Sequence, residues 1–159
     1  MPVRIEPATV GDVPVILEMI RGLAEYEKLA DTVIATEEAL RRTLFGPRPS
    51  AEVLLAYDSV EPVGFALFFS NYSTFLAKPG LYLEDVFVKP HARGRGIGLA
   101  LLKRLAAIAR DRDYGRMEWT VLDWNESAIG FYKKLGAVVM DEWRICRMTE
   151  NAIQKLAAE

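Results

Sequence analysis

The chain has 159 residues, enough for one ordinary domain, and its 51% hydrophobic and 26% charged residues indicate a globular protein and exclude a disordered one. The net charge of -2 and the pI of about 5.6 argue against broad nucleic-acid binding. We therefore expect a single domain over residues 1–159 with no nucleic-acid partner.

Neither a membrane segment nor a metal site is expected from the sequence. No apolar run approaches the roughly 20 residues that span a bilayer. The opening stretch MPVRIEPAT lacks the basic and then apolar pattern of a signal peptide, which predicts a cytoplasmic protein. Cys146 and His91 are the only residues of their types, so the clustered ligands of a zinc site are missing. We interpret Cys146 as a packing residue rather than a nucleophile.

The first part of the chain predicts a strand, two helices and then three strands. Thr9 and Asp12, after a strand at residues 3–6, resemble a capping box that opens a helix through about residue 28. Thr36 begins a second helix, which should end at Gly46-Pro47 because proline disfavours helical geometry in the residue before it. An antiparallel meander follows, with strands at 53–57, 63–70 and 81–88 and turns at 59–62 and 78–80.

Beyond Pro90 the pattern changes to a glycine-rich loop and then to alternating helices and strands. The loop, residues 91–98, leads into a helix whose apolar face carries Leu101, Leu105 and Ile108. The later elements are predicted in this order: a strand at 117–122, a helix capped by Asn125 that ends at Leu135 with Gly136 as its left-handed cap, strands at 138–139 and 143–148, and a final helix from about Glu150.

Residues 93–98 have the features of an anion site. They read Arg-Gly-Arg-Gly-Ile-Gly, between a predicted strand and a predicted helix, where glycines let backbone N–H groups converge on an anion and arginines add charge. Leu99 stands where a dinucleotide fingerprint needs its last glycine, and no Gly-Lys-Ser/Thr of a nucleoside-triphosphate loop occurs. A diphosphate suits the loop, although the pattern alone is equally consistent with a flexible basic loop.

Two motifs together resemble the GNAT superfamily of N-acetyltransferases. Arg93-x-x-Gly96-x-Gly98 after LYLEDVFV is similar to the family's acyl-CoA signature, and WNESAIGFYKKLGA is similar to its later helix. With RIEPAT and LAEYEKL, the resemblance covers nearly the whole chain and is greatest to the spermidine/spermine and thialysine acetyltransferase branch. It implies an α/β fold with a central mixed, mostly antiparallel twisted sheet flanked by helices.

The resemblance also implies the reaction, which is direct transfer of an acetyl group from acetyl-CoA to a primary amine of a small molecule. Polyamines, diamines and lysine-like amino acids such as thialysine are the candidate acceptors. Backbone amides of residues 86–88 are expected to pair with the pantetheine arm and to polarise the thioester carbonyl, and the glycine-rich loop to hold the diphosphate. The expected cofactor residues are Val86, Phe87, Val88, Arg93, Gly94, Arg95, Gly96, Ile97, Gly98, Leu99, Asn125, Ser127 and Ala128.

Glu84 and Tyr132 are the catalytic residues that the resemblance implies. An ammonium group has no lone pair for attack, and Glu84 is the candidate to take its proton, directly or through water. Tyr132 is expected to protonate the departing CoA thiolate. Alternation along the strand predicts that Glu84 shares one face with Tyr82 and Val86, and that Asp85 lies on the other and is structural. Without the resemblance, a surface acid and a packed aromatic would be the preferred interpretations of Glu84 and Tyr132.

A cationic acceptor requires carboxylates and aromatic faces, and the resemblance places the substrate site at Tyr26, Glu27, Glu84 and Glu142. A solvated helix face explains Glu27, and a turn explains Asp141-Glu142, equally well. Likewise, helix capping by itself is enough to explain Asn125.

Two other hypotheses remain beside the small-amine enzyme. One is a protein or peptide N-acetyltransferase, and the other is a non-catalytic acyl-CoA-binding sensor. The resemblance further implies a homodimer, with the late strands around residues 138–148 contributing a shared or exchanged edge.

Overall fold

The computed structural model describes residues 3–158, which form two compact units, the first ending at Thr120 and the second beginning at Val121. The first unit contains a sheet of five strands in the order β1-β2-β3-β4-β5. Neighbouring strands are antiparallel, except for the parallel pair β4 and β5. The strands are β1 (Arg4–Pro7), β2 (Glu52–Asp58), β3 (Glu61–Ser73), β4 (Lys78–Val88) and β5 (Met117–Glu118).

Residues 3–158 contain five α-helices, three in the first unit and two in the second. They are α1 (Val13–Tyr26), α2 (Glu37–Phe45), α3 (Ile97–Asp111), α4 (Glu126–Lys134) and α5 (Glu150–Ala157). Short 3-10 turns lie at Val10–Asp12, Ala30–Thr32 and Pro90–Ala92. The predicted α/β class, with a mixed and mostly antiparallel sheet flanked by helices, is confirmed.

Local capping signals fix the helix starts. The Asp12 carboxylate accepts a hydrogen bond from the Thr9 N–H at 2.7 Å, and the Thr36 hydroxyl accepts one from the Ala39 N–H at 3.2 Å. In the second unit, Thr149 caps α5 in the same way, since its hydroxyl accepts from the Ala152 N–H at 3.2 Å. Each of these contacts lies within four residues, which is why the sequence predicted the caps at Thr9 and Thr36; the cap at Thr149 comes from the structure.

Helices cover both faces of the sheet in the first unit. On one face, α1 and α2 pack against alternate residues of the strands in a buried cluster that contains Val13, Ile16, Leu17, Met19, Leu40, Leu44, Val53, Leu55, Phe65 and Phe87. On the other face, a Cβ placed on Gly64 would lie 3.4 Å from Ile97 and 3.5 Å from Leu101, both in α3. The chain therefore encloses β3 and β4 between α1 and α3.

The predicted meander is confirmed, but its second turn is not at residues 78–80. Lys78, Pro79 and Gly80 belong to β4, where they pair with β3, and the turn comes earlier, at residues 74–77. Proline and glycine are acceptable in this strand for local reasons. The Pro79 carbonyl accepts from the Gly115 N–H at 2.8 Å, and a Cβ on Gly80 would lie only 2.9 Å from the Arg116 carbonyl oxygen.

Three predicted strands also differ from the structure: one is shorter than expected, and two are absent from the described residues. The strand expected at 117–122 pairs with β4 only at Met117 and Glu118. The runs 138–139 and 143–148 form no strand within the described chain, and residues 140–151 are all exposed. Strand propensity records the fit of a side chain to a half-buried pleated surface, and here the second unit supplies no such surface.

Within residues 3–158, every helix falls short of the length and hydropathy that a membrane crossing requires.

Candidate active site

Strand β4 carries a bulge at Glu84, and this bulge organises the site. On β3, Leu67 and Phe68 are adjacent, but their partners on β4 are Asp85 and Leu83, so Glu84 is the extra residue. The parallel ladder to β5 ends just before it, since Leu81 and Tyr82 are the only β4 residues paired with β5 in the described structure. A bulge bends the strand that contains it, which leaves the rest of β4 with an edge that has no strand neighbour.

Backbone direction decides which amides lie at this open edge. The Lys89 N–H donates to the Val63 carbonyl of β3 at 2.8 Å. Successive residues of a strand point their N–H and C=O groups to opposite edges, so those of Val86 and Val88 point away from β3 and those of Phe87 point toward it. Residues 86–88 were expected to pair with the pantetheine arm, and of these Val86 and Val88 present their backbone groups to the open edge.

The glycine-rich loop and the start of α3 lie beside the same edge. Gly94 and Gly96 have φ values of 76° and 79°, a conformation that strains other residues, and a Cβ on either would meet open space. The first hydrogen bond of α3 runs from the Ala100 N–H to the Gly96 carbonyl, so the N–H groups of Ile97, Gly98 and Leu99 precede the helical ladder. These donors, at a helix N-terminus, fit the diphosphate that the sequence predicted.

The two loop arginines have protein partners in this structure. Arg95 forms an ion pair with Asp58 at 2.7 Å. Arg93 donates from Nε to the Val88 carbonyl at 2.9 Å, and its guanidinium lies 4.9 Å from the ring centre of Tyr26. Both arginine side chains are therefore held by other parts of the protein, and the loop also offers backbone N–H groups.

The bulge also overturns the predicted arrangement of side chains on β4. Tyr82 pairs with Phe69 and Asp85 with Leu67, and these two β3 residues share a face, so Tyr82 and Asp85 share one too. Val86, opposite Ala66, lies on the other face. The expectation that Tyr82, Glu84 and Val86 form one row is wrong, because the extra residue shifts the alternation by one position.

Asp85 is the functional candidate that sequence reasoning missed. It lies on the same face as Phe87, which packs under α1, whereas Glu84 is exposed. Burial, followed by the charges of Glu84 and Glu27, raises the pKa of the Asp85 carboxyl from 3.8 to about 6. Burial also raises the pKa of Glu27. The sequence shows that Glu84 and Asp85 are adjacent. It does not show that Asp85 is buried, because this burial depends on α1.

A cleft of about 520 Å³ runs along α1 and over the end of β4, and Phe87 forms part of its wall. Its lining carries both signs of charge: Glu18, Glu25 and Glu37 against Arg21 and Lys89, with Pro14, Leu17, Met19, Gly22, Pro90 and His91 between them. Lys89 and Glu18 form an ion pair at 2.9 Å. Asp85, two residues before Phe87 on the same face, lies roughly 7 Å along the strand from it.

The remaining predicted residues lie in the second unit. The Asn125 side chain accepts hydrogen bonds from the Ala128 N–H and the Ser127 hydroxyl, both at 3.4 Å, so Asn125 caps α4 as predicted. Tyr132, on α4, is half-buried, and its ring centre lies 5.7 Å from that of Phe131. Glu142 is exposed in a turn with Asp141. Over residues 3–158, no three His, Cys, Asp or Glu side chains are grouped so as to hold a metal ion.

Comparison with known proteins identifies the family. Residues 20–137 match the acetyltransferase (GNAT) family. The chain belongs to this family. The predicted resemblance and the predicted N-acetyltransferase activity are therefore confirmed. Proteins of this family use acetyl-CoA as their cosubstrate.

Relatives with assigned activities support the same GNAT branch. The chain is 40% identical to the thialysine N-epsilon-acetyltransferase of Bos taurus, over 99% of this chain and 98% of that protein. It is 35% identical to the L-ornithine N5-acetyltransferase of Arabidopsis thaliana, over 96% of this chain and 87% of that protein. Both are named as acetyltransferases of small-molecule amines.

Solved structures agree with this GNAT fold. An integron cassette protein from the mobile metagenome of V. cholerae superposes with a TM-score of 0.81 at 30% identity, covering 100% of this chain and 99% of that one. An aminoglycoside acetyltransferase from an uncultured soil sample superposes with a TM-score of 0.75 at 18% identity, over 92% of this chain and 94% of that one. At that identity, the second likeness concerns the fold alone.

The raised pKa of Asp85 predicts that this residue lowers stability at neutral pH. Its folded pKa lies above its unfolded pKa, so the folded chain loses stability as the pH rises through about 6 and the carboxyl ionises. Asp85→Asn should raise the free energy of unfolding by about 1–2 kcal/mol at pH 8, after allowance for partial exposure, and should give almost no gain at pH 4. Urea denaturation at both pH values measures this.

Glu25→Gln, at an exposed position of α1, is the matched control and should change the free energy of unfolding by less than about 0.5 kcal/mol at either pH. A loss of stability for Asp85→Asn at pH 8 would contradict the assignment of a costly, buried carboxylate at this position.

Proposed function

We propose that the protein transfers the acetyl group of acetyl-CoA to the distal primary amine of a small basic molecule, with an amino acid of the ornithine or thialysine type as the leading acceptor. The observation that carries this proposal is the group of three carboxylates, Glu27, Glu84 and Asp85, at the bulge beside the open edge of β4. Such a group attracts an ammonium ion and offers acceptors for its proton.

The choice of acceptor is supported by the relatives and by the cleft. Two relatives that match nearly the whole chain are named for ornithine and thialysine, which are amino acids with a second amine. A zwitterionic amino-acid end needs both signs of charge, and the cleft along α1 provides both. A spermidine/spermine acetyltransferase-like protein of Homo sapiens, at 34% identity over 98% of this chain, keeps diamines and polyamines within the proposal.

Glu84 is the proposed acceptor of the ammonium proton, through water, and Asp85 keeps the surroundings negative. The neutral amine then attacks the thioester carbonyl carbon, a C–N bond forms as the C–S bond breaks, and the nitrogen releases its second proton to water to give the amide. The backbone N–H groups of Val86 and Val88, at the open edge, are the proposed donors to the pantetheine arm and the thioester oxygen. One such donor contributes about 2.7–4 kcal/mol in well-studied cases.

Tyr132 is the proposed general acid, whose phenol donates a proton to the departing CoA thiolate and is reprotonated from solvent. Asn125, Ser127 and Ala128, at the start of α4, are the proposed contacts to the cofactor in the second unit. Tyr26, Glu27 and Glu142 complete the proposed acceptor site. We also infer that residues 1–159 act as one domain, because the family match continues across the division at Thr120.

A homodimer and a cytoplasmic location belong to the same proposal. Exposed apolar side chains in the second unit support the dimer, including Val138 at 78%, Trp143 at 73% and Ile145 at 67% exposure. A light-scattering mass equal to one chain at working concentration would contradict it.

The acceptor is tested by acetyl-CoA-dependent thiol release against ornithine, thialysine, lysine, spermidine, spermine, putrescine and a lysine peptide, with each product mass confirmed. We expect selective turnover of a free amine, with the acetyl group on the distal nitrogen. Turnover of the peptide alone would favour a protein N-acetyltransferase instead. Saturable acetyl-CoA binding with no turnover of any amine would favour a non-catalytic sensor.

Tyr132→Phe removes the proposed proton donor and keeps the ring. Turnover should fall about 100-fold or more, while the Kd for acetyl-CoA should change less than about twofold. Steady-state kinetics and calorimetry measure the two constants, with Tyr114→Phe, in the first unit, as the matched control. Unchanged turnover would exclude Tyr132 as the required acid.

A further inference from the structure

Arg93 connects the glycine-rich loop to the end of α1. Its Nε donates to the Val88 carbonyl at 2.9 Å, so the side chain runs back along the open edge of β4. Its guanidinium lies 4.9 Å from the ring centre of Tyr26 and 5.5 Å from that of Phe87. A guanidinium within about 6 Å of two rings makes cation–π contacts with both. Three separate contacts therefore fix one side chain.

The residues that Arg93 holds are next to the carboxylates of the proposed amine site. Tyr26 is the last residue of α1, and Glu27 follows it directly. Asp85 lies two residues before Phe87, and the charge of Glu27 is one of those that raise the pKa of Asp85. The same helix is packed tightly on the strand, since a Cβ on Gly22 would lie 2.8 Å from the Phe87 ring. The contact between Arg93 and Tyr26 is thus a second attachment, next to Glu27, between the end of α1 and β4.

Arg93 makes these contacts without neutralising the acidic group. Within residues 3–158, its charged group faces a carbonyl and two rings, whereas Arg95 is the loop arginine that pairs with a carboxylate, Asp58. The charges that act on Asp85 are those of Glu84 and Glu27. The acidic group therefore keeps its negative charge for a cationic ligand.

We propose that Arg93 is a positioning residue for the amine acceptor rather than a ligand of the CoA diphosphate: it holds Tyr26 and Glu27 over the bulge of β4 through the Val88 carbonyl and the Tyr26 ring. The diphosphate is then bound by the backbone N–H groups of the loop and of α3. This assignment rests on the proposed function.

The test separates binding of the two substrates. Lysine keeps the charge of arginine but lacks the planar group that stacks on a ring. Arg93→Lys should raise the KM for ornithine about tenfold, with the Kd for acetyl-CoA, measured by calorimetry without amine, changed less than about twofold. Arg110→Lys, a surface change on α3 at a residue that bonds to Asp111, is the matched control and should alter neither constant.

A second variant removes the other partner of the contact. Tyr26→Leu should raise the KM for ornithine by at least the same factor, since Tyr26 also belongs to the proposed acceptor site. Adding Arg93→Lys to it should have little further effect, because the contact between Arg93 and Tyr26 is already broken. The two variants are independent tests, so a folding defect in one leaves the other decisive, and thermal denaturation reports such a defect.

Two results overturn this assignment alone: a tenfold weaker Kd for acetyl-CoA in Arg93→Lys with the ornithine KM unchanged, or fully additive effects of the two changes on KM. Both require that the wild-type protein acetylates ornithine. A wild-type protein that acetylates no free amine overturns the proposed function, and this assignment with it.

Discussion

The loss of β5 pairing beyond Tyr82, together with the bulge at Glu84, is the constraint on which the rest of the site depends. A strand in the middle of a sheet forms backbone hydrogen bonds to both of its neighbours. Here β4 remains bonded to β3 but presents the backbone groups of Val86 and Val88 to an edge with no strand neighbour. The glycine-rich loop begins only a few residues later, so the strand donors and the loop donors lie close together along the chain.

The same bulge places an acidic residue where it costs stability. It turns Asp85 to the face covered by α1, where burial and two neighbouring carboxylates raise the pKa to about 6. Stability alone would favour a neutral side chain there. A carboxylate that is costly to the fold and close to an open strand edge is the combination expected where charge serves a reaction rather than packing.

Local features of the fold and site were predictable from the sequence, and long-range ones were not. Thr9, Thr36 and Asn125 cap helices through hydrogen bonds to residues three positions later in the chain. Gly94 and Gly96 have positive φ values, which a glycine adopts without strain. The bulge was missed because it exists only relative to the register of β3, and with it the burial of Asp85. The strands at 138–139 and 143–148 were wrong because propensity cannot supply a partner strand.

Hydrogen exchange with and without acetyl-CoA tests the central claim, that the open edge of β4 and the start of α3 together bind the acyl donor. The account predicts strong protection by acetyl-CoA of the amides of Val86 and Val88 and of those at residues 94–99, with little change at Phe87, whose N–H is directed toward β3. Protection confined to other parts of the chain, with Val86 and Val88 exchanging as fast as in the free protein, would contradict it.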